Sequence, residues 1–347
     1  MREPPTIALL GHETPLEDSF APARVRALLG EAALRGVKLC FIQSRDCDMA
    51  TGQITASQFT EGCWRRSAVT LPALVVAAAP TTRAQHRAVE EWFRTRTRLL
   101  AFDGRPKHEV AAVLARCPEA APHLIPEEVL VAGRLEAQLL DWLAGGAIVV
   151  KRSDGSLGTG LFFVVPAATG FLVVNDTRSW EGDAAEAVAR VAGAIRGRMT
   201  YRTYIVQRFV DTRDTAGQPA TIRADIARQP DDSWQLYRLT GRIAIGARLV
   251  SNRAKGSAMV DAESFLAARG AVDAEAGLER IHALASSVAG ELSRSAGLES
   301  CYEFGLDFAP DRDQHIWFIE ANHRPLTHGA EIERAGHVLT YWTSLLT

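Results

Sequence analysis

Cysteine is scarce in this chain and nothing pairs it. Cys40, Cys47, Cys63, Cys117 and Cys301 are the only five among 347 residues, odd in number and without a Cys-x-x-Cys pair. A disulfide framework and a structural zinc site are both disfavoured by that pattern. An excess of one charge is lacking too, since 39 Lys and Arg stand against 41 Asp and Glu. With no general basic field, nucleic acid is not expected as the main partner. No apolar run approaches the roughly 18 residues that a spanning helix needs. The opening "MREPPTIALLGHE" also lacks the apolar stretch of a signal peptide. The expectation is a soluble, cytoplasmic protein with no membrane partner.

What is present is ordinary for a globular chain, with 47% apolar and 23% charged residues, and the length suffices for about two or three domains. The first third alternates strand and helix patterns. "TIALLG", "VKLCFIQ", "ALVVAAA" and "RLLAFDG" read as strands, with helical spacing over 23–36 and in "TTRAQHRAVEEWFRTR". That alternation implies a parallel α/β unit. After the helical "KHEVAAVLARC" and "RLEAQLLDWLAGG" the pattern changes. "AIVVK", "LFFVV" and "FLVVN" are short strands parted by glycine-bearing turns, which predicts a small antiparallel lid. A helix, "TYIVQRFV", "ATIRADIAR", "SWQLYRLTGRIAI", a helix over 274–296, and two closing strands complete an α+β region.

Two places carry chemistry. In "IVVKRSDGSLGTGLFFVV" the lone Lys151 is followed by Gly155, Gly158 and Gly160. Glycine loops let backbone N–H groups approach phosphate oxygens, and an ammonium neutralises them. A P-loop would place the lysine after the glycines and before a helix, so that reading fails. The dinucleotide fingerprint and the kinase signature are absent as well. Near the C-terminus, "GLDFAPDRDQHIWFIEANHRP" sets Asp307 thirteen residues before Glu320 and Asn322 two beyond it. Glu320 and Asn322 share a strand face by the period of two, and Asp307 lies on the preceding strand. Three oxygen donors then converge as a hard cation such as Mg2+ requires. Glu320 sits within an otherwise apolar run, where an unpaired carboxylate would be costly.

This order resembles an ATP-grasp enzyme. "GQITASQFTEGCWRRSAVTLPALVV", "IVQRFV", "TIRADIARQPDDSWQLYRLTGRIAIGARLVSNRAKGS", "YEFGLDF" and "HIWFIEANHRP" resemble the YheC/YheD-like branch, over about 37–324. Two departures stand out: "AAAP" where the branch has Asn-Arg, and Gly256-Ser257 where it has two glycines. The resemblance implies an ATP-grasp fold with a parallel pre-ATP-grasp domain (1–104), a central part with the glycine-rich lid (105–204), and a C-terminal part with the metal site (205–347).

The resemblance also implies roles. Lys107 and Lys151 hold phosphates under the loop 153–160, with Ser153, Gly155, Ser156, Gly158 and Gly160 presenting backbone N–H groups. Backbone groups near Gln207, Arg208 and Phe209 meet the adenine edge, and Asp211 or Asp214 the ribose hydroxyls. Arg223 serves the transferring phosphoryl or acyl phosphate, with an ion pair to Asp225 or another acid as the structural alternative. Asn252 stands near the phosphates and Arg324 holds a substrate carboxylate or phosphate. His323 and His328 are candidate bases, or merely flank the motif. The implied activity is ADP-forming ligation of a small-molecule or peptide carboxylate to an amine, using ATP and Mg2+ through an acyl phosphate, in natural-product or modified-peptide biosynthesis. A non-ligase nucleotide-binding coat protein and a small-molecule kinase are the rival readings. A homodimer is among the assemblies allowed.

Overall fold

The structure, a computed structural model, describes residues 3–155, 159–175, 177–213, 217–244, 257–269, 273–327 and 329–346. The chain opens with β1 (Thr6–Gly11), whose apolar run is almost wholly buried, and the single turn α1 (Leu16–Ser19). Helix α2 (Pro22–Leu34) starts on a proline, whose missing N–H costs nothing at the first helical position. Gly36 follows it at φ +67, a left-handed stop. Next come β2 (Lys38–Gln43), the hairpin β3 (Ile54–Thr60) and β4 (Cys63–Val69), β5 (Leu74–Ala77), α3 (Ala84–Arg94) and β6 (Arg98–Leu100). The strand order is β4-β3-β2-β1-β5-β6, with β2, β1, β5 and β6 parallel. The β3–β4 hairpin is an element that the sequence patterns did not yield. Its turn, Glu61-Gly62, has positive φ at both residues, as a tight hairpin requires.

The second sheet is built around the glycine loop. It follows α4 (Lys107–Leu114) and comprises β7 (Glu127–Val129), β8 (Ile148–Arg152), β9 (Phe162–Ala167), β10 (Gly170–Val174), β11 (Ser179–Gly182) and β12 (Tyr204–Arg208). Helices α5 (Leu135–Ala144) and α6 (Ala184–Ile195) cover it. The order is β11-β10-β9-β8-β12-β7, every printed pairing antiparallel. A reciprocal cap between Asp183 and Glu186 starts α6. This sheet has a core of its own, with Leu139, Val150, Val164, Val191 and Ile195 at its centre.

The third sheet holds β13 (Ala220–Arg228), β14 (Trp234–Ile243), β15 (Ala258–Asp261), β16 (Glu303–Pro310) and β17 (Ile316–Asn322), in the order β15-β14-β13-β16-β17. Its helices are α7 (Ala262–Ala268), α8 (Ala274–Ser293) and α9 (Glu331–Ser344). The sequence patterns end at the closing strand and miss α9. The core of this sheet is continuous with one face of the first, since Ile7, Leu9 and Leu39 belong to the same buried cluster as Ile222, Phe304 and Trp342. Among the described residues, no helix is long and apolar enough to cross a membrane.

Candidate active site

Register places the acids. In the third sheet Arg223 on β13 lies opposite Asp307 on β16, and Asp307 lies opposite Glu320 on β17. Side chains in one transverse row project to the same face, so three strands deliver one cation and two carboxylates side by side. The Arg223 guanidinium grips Asp307 with two bonds of 2.6 Å, from Nε to Oδ1 and from Nη2 to Oδ2. Arg242 Nη1 adds a longer bond to Asp307 Oδ1 at 3.3 Å. Asn322 Nδ2 donates to Asp307 Oδ2 at 3.2 Å and to Glu320 Oε1 at 3.3 Å. Gly305 makes room for this network: a Cβ there would stand 2.6 Å from Arg223 Nη1 and 2.7 Å from the Pro325 ring.

Lysines from α4 and from the second sheet face these acids. Lys107, at the start of α4, lies 3.0 Å from Glu320 Oε2 and donates to the Gly155 carbonyl at 2.6 Å. Burial works to raise the Glu320 carboxyl, but the charge and hydrogen bond of Lys107 prevail and bring it down to about 2. Lys151 is buried on β8 and donates to Gln207 Oε1 at 2.8 Å. Burial lowers its ammonium to about 8. Ser153 accepts the Lys107 N–H through its carbonyl at 2.9 Å, and its hydroxyl lies 2.6 Å from His108 Nδ1. The loop is thereby tied to the first turn of α4.

Between the sheets lies a cavity of about 220 Å3, whose lining includes Arg105, Lys107, Ser153, Gly155, Glu320 and Arg324. Arg324 stacks on the Phe102 ring at 4.4 Å. Its three guanidinium nitrogens are buried without a hydrogen-bond partner among the described residues, a strong demand for an anion. Burial and the neighbouring Arg324 push His323 down to about 4. The His323 imidazole is therefore neutral near pH 7, and its buried Nε2 has no partner among the described residues.

A family model described as YheC/D like ATP-grasp matches residues 99–340, which is most of the chain. The chain belongs to the YheC/D-like ATP-grasp family. Among solved structures, D-alanyl-alanine synthetase A from Vibrio cholerae matches with a TM-score of 0.56 at 12% identity, covering 100% of both chains. D-cycloserine synthetase DcsG matches with a TM-score of 0.55 at 15% identity, covering 99% of this chain and 100% of its own. The VanG D-Ala:D-Ser ligase of Enterococcus faecalis matches with a TM-score of 0.57 at 11% identity, over 99% and 100% of the two chains. At such identities the likeness establishes the ATP-grasp fold. No curated protein matches the chain in sequence.

Several expected site residues of this ATP-grasp chain meet in one place: Lys107, Ser153, Gly155, Gln207, Glu320, Asn322 and Arg324 line the cavity, and Lys151 and Asp307 are bonded to lining residues. Others do not. The N–H groups of Arg208 and Phe209 are spent on the Pro126 and Ala147 carbonyls, both at 3.0 Å, because β12 runs between β7 and β8 and is no free edge. Those two donors are therefore committed within the protein; the adenine role, expected of backbone groups near Gln207, Arg208 and Phe209, does not depend on them alone. The Arg208 guanidinium donates to Trp142 O at 2.5 Å and packs over the Trp142 ring. Asp211 is taken by Arg213 and Arg312, at 2.7 Å and 3.0 Å. Arg223 is a buried clamp on Asp307, 3.9 Å from Asp225. Gly160 takes φ +70 where the loop enters β9. Ser156, Gly158, Asp214, Asn252 and His328 lie outside the described residues.

The sequence did not single out Arg242, Arg105, Glu127 or Gly305. Only Glu127 carried a signal, as the first of two acids ahead of the short apolar run "VLV". A polar cluster at the carboxyl ends of β1 and β2 was also missed. There His12 Nδ1 lies 2.6 Å from Ser44 Oγ and its Nε2 3.1 Å from Glu90 Oε1, with the His86 ring stacked on it at 4.8 Å.

Proposed function

We infer that this protein is an ATP-dependent carboxylate–amine ligase working through an acyl phosphate. The observation that carries this reading is Glu320, anchored through the row Arg223, Asp307, Glu320, facing Lys107 in one cavity with the unsatisfied Arg324 guanidinium. Lys107 and Lys151 supply the charge that a triphosphate needs, and the loop 153–160 supplies backbone donors. Asp307, Glu320 and Asn322 fit Mg2+ by donor chemistry: two carboxylates, each within 3.3 Å of the Asn322 amide nitrogen, and an amide oxygen that becomes available if the amide turns. A bound cation would neutralise the phosphates and polarise the transferring group.

Arg223 and Arg242 hold Asp307 in place, so the acids stay fixed when Lys107 exchanges Glu320 for phosphate. Arg324 receives and orients the acid substrate. A carboxylate oxygen attacks the γ-phosphorus, the bond to the β-bridging oxygen breaks, and ADP leaves. The amine then attacks the acyl carbon, phosphate departs with the C–O electron pair, and the nitrogen loses a proton. No protein nucleophile is required; positioning and charge neutralisation carry the rate. A panel of amino acids and short peptides with ATP and Mg2+ should release ADP and phosphate. Release of AMP and pyrophosphate would overturn this reading.

A further inference from the structure

Lys107 ties the glycine loop to the acids, and in doing so it stands against the cation site. Its backbone N–H donates to the Ser153 carbonyl at 2.9 Å and its ammonium to the Gly155 carbonyl at 2.6 Å. The same ammonium lies 3.0 Å from Glu320 Oε2 on β17. The other Glu320 oxygen, Oε1, accepts from Asn322 Nδ2 at 3.3 Å. Both oxygens of this carboxylate are thus engaged within the protein. A divalent cation at Glu320 and the Lys107 ammonium are competitors for one oxygen, since both need its lone pairs and two cations side by side repel.

The cations along the acid row are not equally firmly held. Arg223 grips Asp307 with two bonds of 2.6 Å, and the two side chains are only 8% and 9% exposed. Opening such a pair would strand a buried charge, so it stays closed. Lys107 meets Glu320 through a single contact, with side chains 22% and 27% exposed, and its ammonium sits on a long flexible stem. Of the two, Lys107 is the one that yields. What draws an ammonium off a carboxylate is another anion, and phosphate oxygens entering the cavity supply one. We propose that Lys107 is a latch on the cation site: it holds Glu320 Oε2 against divalent cations until phosphate takes its ammonium, so the cation binds with the nucleotide or after it. This inference rests on the reading that the cavity binds a nucleoside triphosphate, and adds to it an order of binding.

The test uses Mn2+ on the full chain without nucleotide, its free ion read by electron paramagnetic resonance. Lys107→Met keeps the stem and removes the charge. It should bind Mn2+ roughly tenfold more tightly than wild type, the lower end of the scale for one charge-assisted hydrogen bond. Adding Glu320→Gln to it should remove that gain. Lys151→Met is the control for charge alone, because Lys151 acts on Glu320 through space while its own bond goes to Gln207; its gain should be smaller. The reverse competition is read by calorimetry with ATP in EDTA. There Glu320→Gln should bind ATP roughly tenfold more tightly than wild type, and most of that gain should vanish in a Lys107→Met background. Equal Mn2+ affinity in wild type and Lys107→Met, or an equal gain in Lys151→Met, would overturn the latch while leaving nucleotide and metal binding standing. If Glu320→Gln leaves the Mn2+ affinity of Lys107→Met unchanged, the metal assignment itself fails and the latch with it. If neither wild type nor Glu320→Gln binds ATP, with or without Mg2+, the nucleotide reading fails and this inference falls too.

Discussion

Lys151 titrates near working pH, and its sign is open to measurement. Burial, with Lys107 beside it, brings the ammonium to about 8, against the pull of Glu127 and Glu320. Between about 8 and its ordinary 10.5 the unfolded chain holds a proton that the folded one has lost. Lys151 therefore adds stability as pH rises through that window. Phosphate binding has the opposite trend, since it needs the cation. ATP affinity should fall as pH rises above 8, and Lys151→Ala should lose roughly ten- to a hundredfold in affinity together with that pH trend. Calorimetry at several pH values checks both, and an unchanged slope in Lys151→Ala would contradict the assignment. Glu320 behaves inversely: depressed to about 2 from 4.5, its carboxylate contributes stability above 4.5 that is lost as pH falls toward 2. Glu320→Gln should consequently lose less stability than wild type between pH 5 and pH 3 in denaturant melts, and should bind ATP without the gain from Mg2+. These residues were legible because each breaks its surroundings: a lysine ending an apolar strand, an acid inside one. Arg242 and Glu127 were not, because their meaning lies in partners 65 and 80 residues away.

Among the elements, the strands around Lys151 and the acids were readable from their apolar runs and turns. The hairpin β3–β4 was not, because "CWRRSAV" is exposed along most of its length and shows no alternation. β7 is three residues long, too short for any period. The reading stopped at Pro325 and so missed α9. That the Arg208 and Phe209 N–H groups are committed was not legible either, because only the sheet order places β12 between β7 and β8. Gly305 is an element-scale requirement, since β16 must pass beneath the Arg223 fork. Gly305→Ala should cost about 1–3 kcal/mol through overpacking and weaken Mg2+-dependent ATP binding. Thermal melts and calorimetry check this, and wild-type behaviour in both would remove the argument. The sheet β8–β11 has its own core, separate from that shared by the other two sheets. ATP should slow hydrogen exchange over about 145–176 more than in β1 and β2, as a closing lid would. Uniform protection would argue against closure.

For the molecule as a whole, one core joins the first sheet to the third, and a buried ion pair crosses it. Arg334 on α9 grips Glu303 on β16 with bonds of 2.7 Å and 2.5 Å, and Arg24 on α2 lies 3.7 Å from the same carboxylate. Glu303→Gln would leave two arginines buried without their counter-charge, at a cost of about 3–5 kcal/mol, readable in urea unfolding. A shift below 1 kcal/mol would show that the pair is dispensable. The central claim is the reaction, and trapping tests it most directly. With hydroxylamine in place of the natural amine, ATP, Mg2+ and a panel of amino acids and short peptides should give a hydroxamate, one for each ADP formed. Arg324→Ala should suppress both products together, since the acid would no longer be held. AMP in place of ADP would contradict the account, and so would ADP accompanied by a stable phosphorylated product and no hydroxamate.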